Sequence, residues 1–458
     1  MRIQTNQRDL SLDDLQLALL AHERDYRRKR KLKQYFTGSH DIYRKLPREN
    51  TEINNQLVSN FCSYITSMST GFFIGQPVTY RAISEDEHEL EPLLEIFKYN
   101  DEAAHNLELA EEASITGEAV EILYIDADAQ IRFASVPSEE MLLICDATLE
   151  GNIQFAVRRY RVYALDQFSY DEFVDVYDAR EIRHYTYSGG ALKLINSEPH
   201  YFGDVPVVEF ANNKQRRGDF EDVITLVDAY NLAQSLTMDD LADFTDAFLI
   251  LKNIHLYDDV EVKKFRRRKI IETDGNDSGA EWLTKDLNDT YVENVKTRLQ
   301  RDIHKFACVP DLTDENFAGN ASGVAISYKL IGLQQVCSRK QREFKKALQR
   351  RIELIAGILK LQNRADIDFR DIDVQFTSNI PQNLPELAQV VTQLGGIVSN
   401  KTLLGLLPFV TDAREEMAEL DEERAEENTA DDSEYTNWRN RSEGNEDDEP
   451  RVLAETGD

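Results

Sequence analysis

The densest set of side chains able to do chemistry is Asp366-Ile367-Asp368-Phe369-Arg370-Asp371-Ile372-Asp373, four carboxylates in eight residues. At that density carboxylates can hold paired divalent ions and activate water, as nucleases do. The apolar residues argue for something plainer. Ile367 and Phe369 share one parity, Ile372 and Val374 the other. That is the pattern of two short strand pieces broken near Arg370, with the acids facing water. A second candidate, Gly319-Asn320-Ala321-Ser322-Gly323, has the outline of a nucleophile elbow. Its serine falls one place late and no strand leads into it. The sequence holds no G-x-x-x-x-G-K-[ST] loop, no G-x-G-x-x-G and no H-E-x-x-H. These observations predict no catalytic residue, no cofactor and no metal site. A metal-dependent DNA-processing enzyme built on the 366–373 acids stays open as the alternative.

Two clusters are basic. One is Arg24, Arg27, Arg28, Lys29, Arg30, Lys31 and Lys33. The other is Lys263, Lys264, Arg266, Arg267, Arg268 and Lys269. Either could bind phosphates, but the whole chain carries 84 acids against 53 bases, a net charge of −31. A protein that grips nucleic acid by its backbone needs the opposite sign. For the first cluster, a solvated face or an acidic neighbour is therefore the preferred reading. The four cysteines, Cys62, Cys145, Cys308 and Cys337, have no close spacing, which argues against a disulfide framework or a zinc clip. No apolar run reaches membrane length and the first residues lack a signal-peptide pattern, so a soluble protein made in a reducing cytoplasm is expected.

The elements that would position these residues follow from periodicity. A helix is predicted over 11–36, with Ser11 as N-cap and Asp14 closing a capping box. A second is predicted at about 52–70, a turn over Gly71–Pro77, and a strand over 78–83. Residues 88–117 read as one helix ending at Gly117. Strands follow over 119–125, 131–136, 153–163, 173–177, 181–187, 192–195 and 205–210. From Asp219, a plausible N-cap, to Leu251 the chain has eight acids and no Lys or Arg on a helical pattern. Residues 252–285 read as a small inserted unit with short strands. A helix from near Asp289 stops before Pro310. A polar loop comes next, Asp311, Leu312, Thr313, Asp314, Glu315, Asn316, Phe317, Ala318, Gly319, Asn320 and Ala321. Residues 324–361 then carry an unbroken helical pattern, about 57 Å long at 1.5 Å per residue. Strand-like alternation returns at 366–376, and helices at 385–396, 399–405 and 411–427. Residues 428–458 are acidic, poor in apolar anchors and expected to be disordered.

This order of pieces resembles the portal proteins of siphophages of Gram-positive hosts. Recurring segments of that family are matched by Gly203-Asp204-Val205-Pro206-Val207-Val208-Glu209-Phe210 before Asn212-Asn213, and by Val309-Pro310-Asp311 through Ser322-Gly323-Val324-Ala325. Tyr328-Lys329-Leu330 with Leu333, Ile380-Pro381-Gln382-Asn383, Leu394-Gly395-Gly396 and Leu407-Pro408 continue the match. The resemblance covers residues 20–425 and implies an α+β portal-protein fold. It implies a wing at 1–218 with 362–378, stem helices at 219–246 and 286–310, and a clip at 247–285. It further implies a tunnel loop at 311–321 projecting into a DNA channel, a long helix at 322–361 and a crown at 379–427. About twelve copies would form a head-to-tail ring at the capsid vertex. Implied partners are double-stranded DNA in transit, the terminase motor, a head-completion or adaptor protein, and capsid and scaffolding proteins. The basic residues 263–269 would dock some of these, and no membrane is involved. A scaffold or adaptor that never forms a ring is the remaining alternative.

Overall fold

The computed structural model describes residues 1–47, 53–84, 88, 90–166, 168–244, 248–252, 279–283, 289–312, 323–377, 384–405, 407, 410, 413 and 416–422. The chain divides into two units, Met1–Asn379 and Ile380–Asp458.

In the first unit a short strand β1 (Arg2–Thr5) leads into helix α1 (Leu12–Phe36). The expected capping box is present: the Ser11 hydroxyl accepts from the Asp14 amide, and the Asp14 carboxylate accepts from the Ser11 amide. α1 lays Leu15, Ala18 and Leu19 on a six-stranded sheet of order β1-β5-β6-β7-β8-β9. Its strands are β5 (Met141–Asp146), β6 (Ile153–Tyr163), β7 (Tyr170–Tyr177), β8 (Glu181–Ser188) and β9 (Ala191–Pro199). The opposite face meets a three-stranded sheet made by β3 (Glu118–Ile125), β4 (Ile131–Val136) and β10 (Val207–Ala211). β5 therefore has apolar neighbours on both sides. Leu142 and Ile144 face α1, while Met141, Leu143 and Cys145 face the second sheet. Its uninterrupted apolar run shows no alternation, which is why periodicity did not reveal it.

Three expectations are corrected. The helix expected from residue 52 starts only at Phe61 (α2, Phe61–Ile74) and runs on through Gly71. Residues 53–60 are extended along α5 (Ile224–Phe244). There the amides of Asn55, Leu57 and Ser59 donate to Asp239 Oδ1 (2.7 Å), Ser235 Oγ (2.9 Å) and Asn231 Oδ1 (2.8 Å). Two residues of extended chain advance about as far as four residues of helix, roughly 6–7 Å, so each acceptor meets the next amide. Residues 88–117 form two helices, α3 (Glu91–Tyr99) and α4 (Glu102–Thr116), broken where Asp101 takes a positive φ of 49°. Asp219 caps no helix. α5 begins after a single 3-10 turn, Glu221–Val223, and the Asp219 carboxylate serves Lys340 instead.

A 39-residue helix, α7 (Gly323–Leu361), crosses this unit. Its buried stripe includes Leu330, Leu333, Cys337, Lys340, Phe344, Leu348, Arg351, Ile355 and Leu359. Two of those positions are cations. Arg351 donates to both oxygens of Glu121 (2.6 and 3.0 Å), to Glu102 (3.2 Å) and to Asn106 (2.8 Å), and lies 4.7 Å from the Phe133 ring centre. Burial opposes the charge on Glu121, but Arg351 and a hydrogen bond with His105 outweigh it and hold the carboxyl below its ordinary value. Lys340 reaches Ser69 (2.8 Å) and Asp219, which also accepts from Ser114 and Asn212. The loop carrying Asp219 passes so close to the end of α4 that a Cβ on Gly117 (φ 96°) would lie 2.2 Å from the Arg216 carbonyl oxygen. A strand pair, β2 (Thr79–Ala82) with β13 (Ile372–Gln375), ties down the segment after α7. In the second unit α8 (Leu384–Leu394) precedes α9 (Asn400–Leu404), which Ser399 caps.

Removing Arg351 would strand two buried carboxylates. Arg351→Met should lower unfolding free energy by about 3–5 kcal/mol, read from urea denaturation. His22 on α1 is 1% exposed and its Nε2 has no hydrogen-bond partner. Burial, then the Met1 amine and Lys29, push its pKa down to about 4. A depressed value means full stability above the unfolded pKa of about 6.5, and loss as pH falls from there toward 4. Stability should drop by about 2 kcal/mol between pH 6.5 and 5, and His22→Gln should flatten that slope.

Candidate functional site: the root of the polar loop

Helix α6 (Asp289–Ala307) runs beside α5 and ends at Cys308, where a positive φ of 58° turns the chain. Residues 309–312 then leave toward the polar loop, and their exit is clamped. The Tyr64 hydroxyl, on α2, donates to the Pro310 carbonyl (2.9 Å) and accepts from the Leu312 amide (3.3 Å). Gln300 donates to Asp311 (2.8 Å), and His304 Nε2 lies 3.7 Å from the same carboxylate. His304 Nδ1 also contacts the Val309 carbonyl (3.1 Å), and the rings of Phe61 and Tyr64 stand edge-on to the imidazole. Together with Ser59 and Asn60 these groups line an open cavity of about 240 Å³. The contacts just described come from α2 and α6. The root therefore inherits its position from the packed body.

Of the loop residues singled out in sequence, Asp311 and Leu312 belong to this root. Thr313, Asp314, Glu315, Asn316, Phe317, Ala318, Gly319, Asn320 and Ala321 lie outside the described residues. So do Lys263, Lys264, Arg266, Arg267, Arg268 and Lys269, and the tail 428–458. Of the small inserted unit the structure describes an antiparallel pair, β11 (Phe248–Lys252) with β12 (Gly279–Leu283).

The 366–373 acids do not converge. Asp366 pairs with Lys360, Asp368 accepts from the Arg370 amide, Asp371 accepts from Ser84, and Asp373 pairs with Lys345. Among the described residues no three metal-ligating side chains cluster. The two-metal alternative therefore loses its geometry. The basic stretch of α1 is largely occupied within the chain. Lys29 is buried against Glu118, Arg28 pairs with Glu221 (2.8 Å), and Lys33 with Glu112 and Glu139. The acids of α5 are partly occupied too. Asp228 accepts from the Tyr35 hydroxyl (2.9 Å) and Asp239 from Lys45 (2.6 Å). Of these two, Asp239 is neutralised by its ion pair, while Asp228 keeps its charge.

Sequence reasoning missed Tyr64, His304, Lys340 and Arg351. For the two cations a signal existed: each interrupts an apolar stripe at a core position, which demands a buried counter-ion. For Tyr64 none existed, because its partners lie far along the chain. Tyr64→Phe keeps the ring and deletes the clamp. It should cost about 1 kcal/mol of stability and speed hydrogen exchange at the Leu312 amide.

The family described as "Phage portal protein, SPP1 Gp6-like" matches residues 18–430. The chain is 25% identical to the portal protein of Bacillus phage SPP1 over 398 residues, covering 82% of this chain and 77% of that protein. It is 24% identical to the portal protein of Clostridium phage phiCD119 over 415 residues, covering 84% and 89%. Among solved structures it is similar to a chain from the neck of an empty gene transfer agent particle. That match has a TM-score of 0.47 and 12% identity, over 76% of this chain and 90% of the other. A family match across most of the chain places it: this chain belongs to the SPP1 Gp6-like family of phage portal proteins.

Proposed function

We propose that about twelve copies of this chain close into a ring at the capsid vertex, and that double-stranded DNA enters and leaves the head through its centre. One structural observation supports the ring beyond family membership. α5 and the two helices flanking the polar loop expose large apolar residues: Leu232 and Leu241 on α5, Phe306 on α6, Tyr328 and Ile331 on α7. Exposed apolar surface on that scale belongs to a protein contact. A head-to-tail neighbour on each side would supply it.

In this reading residues 1–218 and 362–378 are the wing, 219–246 and 286–310 the stem, 247–285 the clip and 379–427 the crown. The loop 311–321, rooted at Tyr64 and His304, is the tunnel loop, and each copy contributes one to a collar around the DNA. The excess of acids suits a channel, because each phosphate gripped by a fixed cation would add affinity that translocation must break. The motor that drives DNA is then a separate protein. The clip, with its basic residues 263–269, docks that terminase and later the head-completion or adaptor protein. The wing faces capsid and scaffolding proteins.

Negative-stain images and a solution mass of the purified full-length chain test this. A ring with a central hole, many times the 52.7 kDa of one chain, is expected. A species that stays at one chain's mass at high concentration would overturn it.

A further inference from the structure

Much of the outer face of α1 is open among the described residues, with Lys31 at its far end paired to Asp41 (2.7 Å). Leu17, Leu20, Arg24, Arg27 and Lys31 follow one another at steps of three and four, and all are exposed. That is the seven-residue repeat into which a second helix fits. Leu17 and Leu20 are 65% and 68% exposed. Arg24 has no ion-pair partner among the described residues, and Arg27 pairs only with Glu23, one turn back on the same helix.

α4 presents the opposite chemistry. Ala104, Leu107 and Glu108 are exposed on its outer side and Glu111 is half-buried beside them. Glu108 accepts a hydrogen bond from Ser135, and Glu111 has no ion-pair partner among the described residues. The two carboxylates rim an open cleft of about 400 Å³ floored in part by Phe36, Ile115, Val136 and Pro137; Lys33 also lines it but is taken up by Glu112 (2.8 Å) and Glu139 (2.6 Å). An apolar floor with a carboxylate rim suits an arginine, whose stem lies on hydrocarbon while its guanidinium takes the acids. Within one chain α1 and α4 are joined by the Lys33–Glu112 pair, which leaves Arg24 and Glu111 without ion-pair partners among the described residues. With a net charge of −31 per copy, copies repel in general, so a contact between them is favoured where free cations meet carboxylates.

We propose that in the ring α1 of one copy packs parallel on α4 of the next, with Leu20 on Leu107 and Arg24 on Glu111. The step from Leu20 to Arg24 equals that from Leu107 to Glu111, so apolar and charged contacts come into register together. Two different surfaces of one chain meet, which is the kind of contact that closes rings. This rests on the ring reading above.

The test uses the full-length chain with Arg24→Glu/Arg27→Glu, with Glu108→Lys/Glu111→Lys, and with all four changes. Assembly is followed by solution mass against concentration, and folding by circular dichroism. Each pair of reversals should raise the half-assembly concentration about tenfold or more, and the fourfold variant should return toward wild type. Should a charge variant fail to fold, Leu20→Cys with Leu107→Cys in an otherwise unchanged chain should give a ladder of cross-linked copies on mild oxidation. Wild-type assembly by the reversed variants, or rings that yield no cross-linked ladder, would overturn the α1–α4 contact while leaving the ring intact. A wild-type chain that never assembles would overturn the ring reading, and this contact with it.

Discussion

A guanidinium cannot be buried without a negative partner, and Arg351 is fully buried. Desolvating one charge costs several kcal/mol, and only close, well-directed carboxylates offset it. Those partners come from two separate elements: Glu102 and Asn106 from α4, and Glu121 from β3. The rings of Phe133 on β4 and Phe210 on β10 close the pocket. One side chain of the long helix is thus tied to α4 and to every strand of the three-stranded sheet. Because the geometry tolerates little displacement, α7 has one register against the body. Lys340, three turns earlier, repeats the device with Asp219, Ser69 and Ser114. Two buried cations on one helix fix both its rotation and its position along its axis. Apolar packing alone would define neither so sharply, since a leucine stripe can slide by a turn.

The same economy recurs where the backbone has no regular partner. Residues 53–60 belong to no helix or sheet, and their amides would be orphaned without Asn231, Ser235 and Asp239 of α5. That ladder binds α5 to the segment leading into α2. α2 in turn supplies Tyr64 to the root of the polar loop, and α6 supplies His304 and Gln300. The packed body thus reaches Leu312, the last described residue before residue 323, through a short chain of polar contacts.

Net charge is a poor guide to where the field lies. Much of the basic stretch of α1 and Asp239 of α5 are paired inside the chain, because burial rewards pairing more than exposure does. What remains exposed is uneven: a cationic stripe on α1, carboxylates on α4, and apolar residues on the helices beside the loop.

The sequence by itself determined the elements whose signals are local. The Ser11–Asp14 capping box set the start of α1. Alternation marked β3, β4 and β6. The proline-free stripe marked the long helix. In each case the deciding groups lie within a few residues of one another. Only the tertiary structure decided the rest, because the deciding partners are remote. The amide of Asn55 finds Asp239 across 184 positions, and the hydroxyl of Tyr64 finds Pro310 across 246. β5 carries apolar side chains on both faces because α1 covers one and the three-stranded sheet the other, and no periodicity survives when both faces are apolar. Whether Asp219 caps a helix or neutralises Lys340, and whether four acids near Asp368 gather or disperse, depends on which cations the fold brings near. Spacing along the chain carries no record of that.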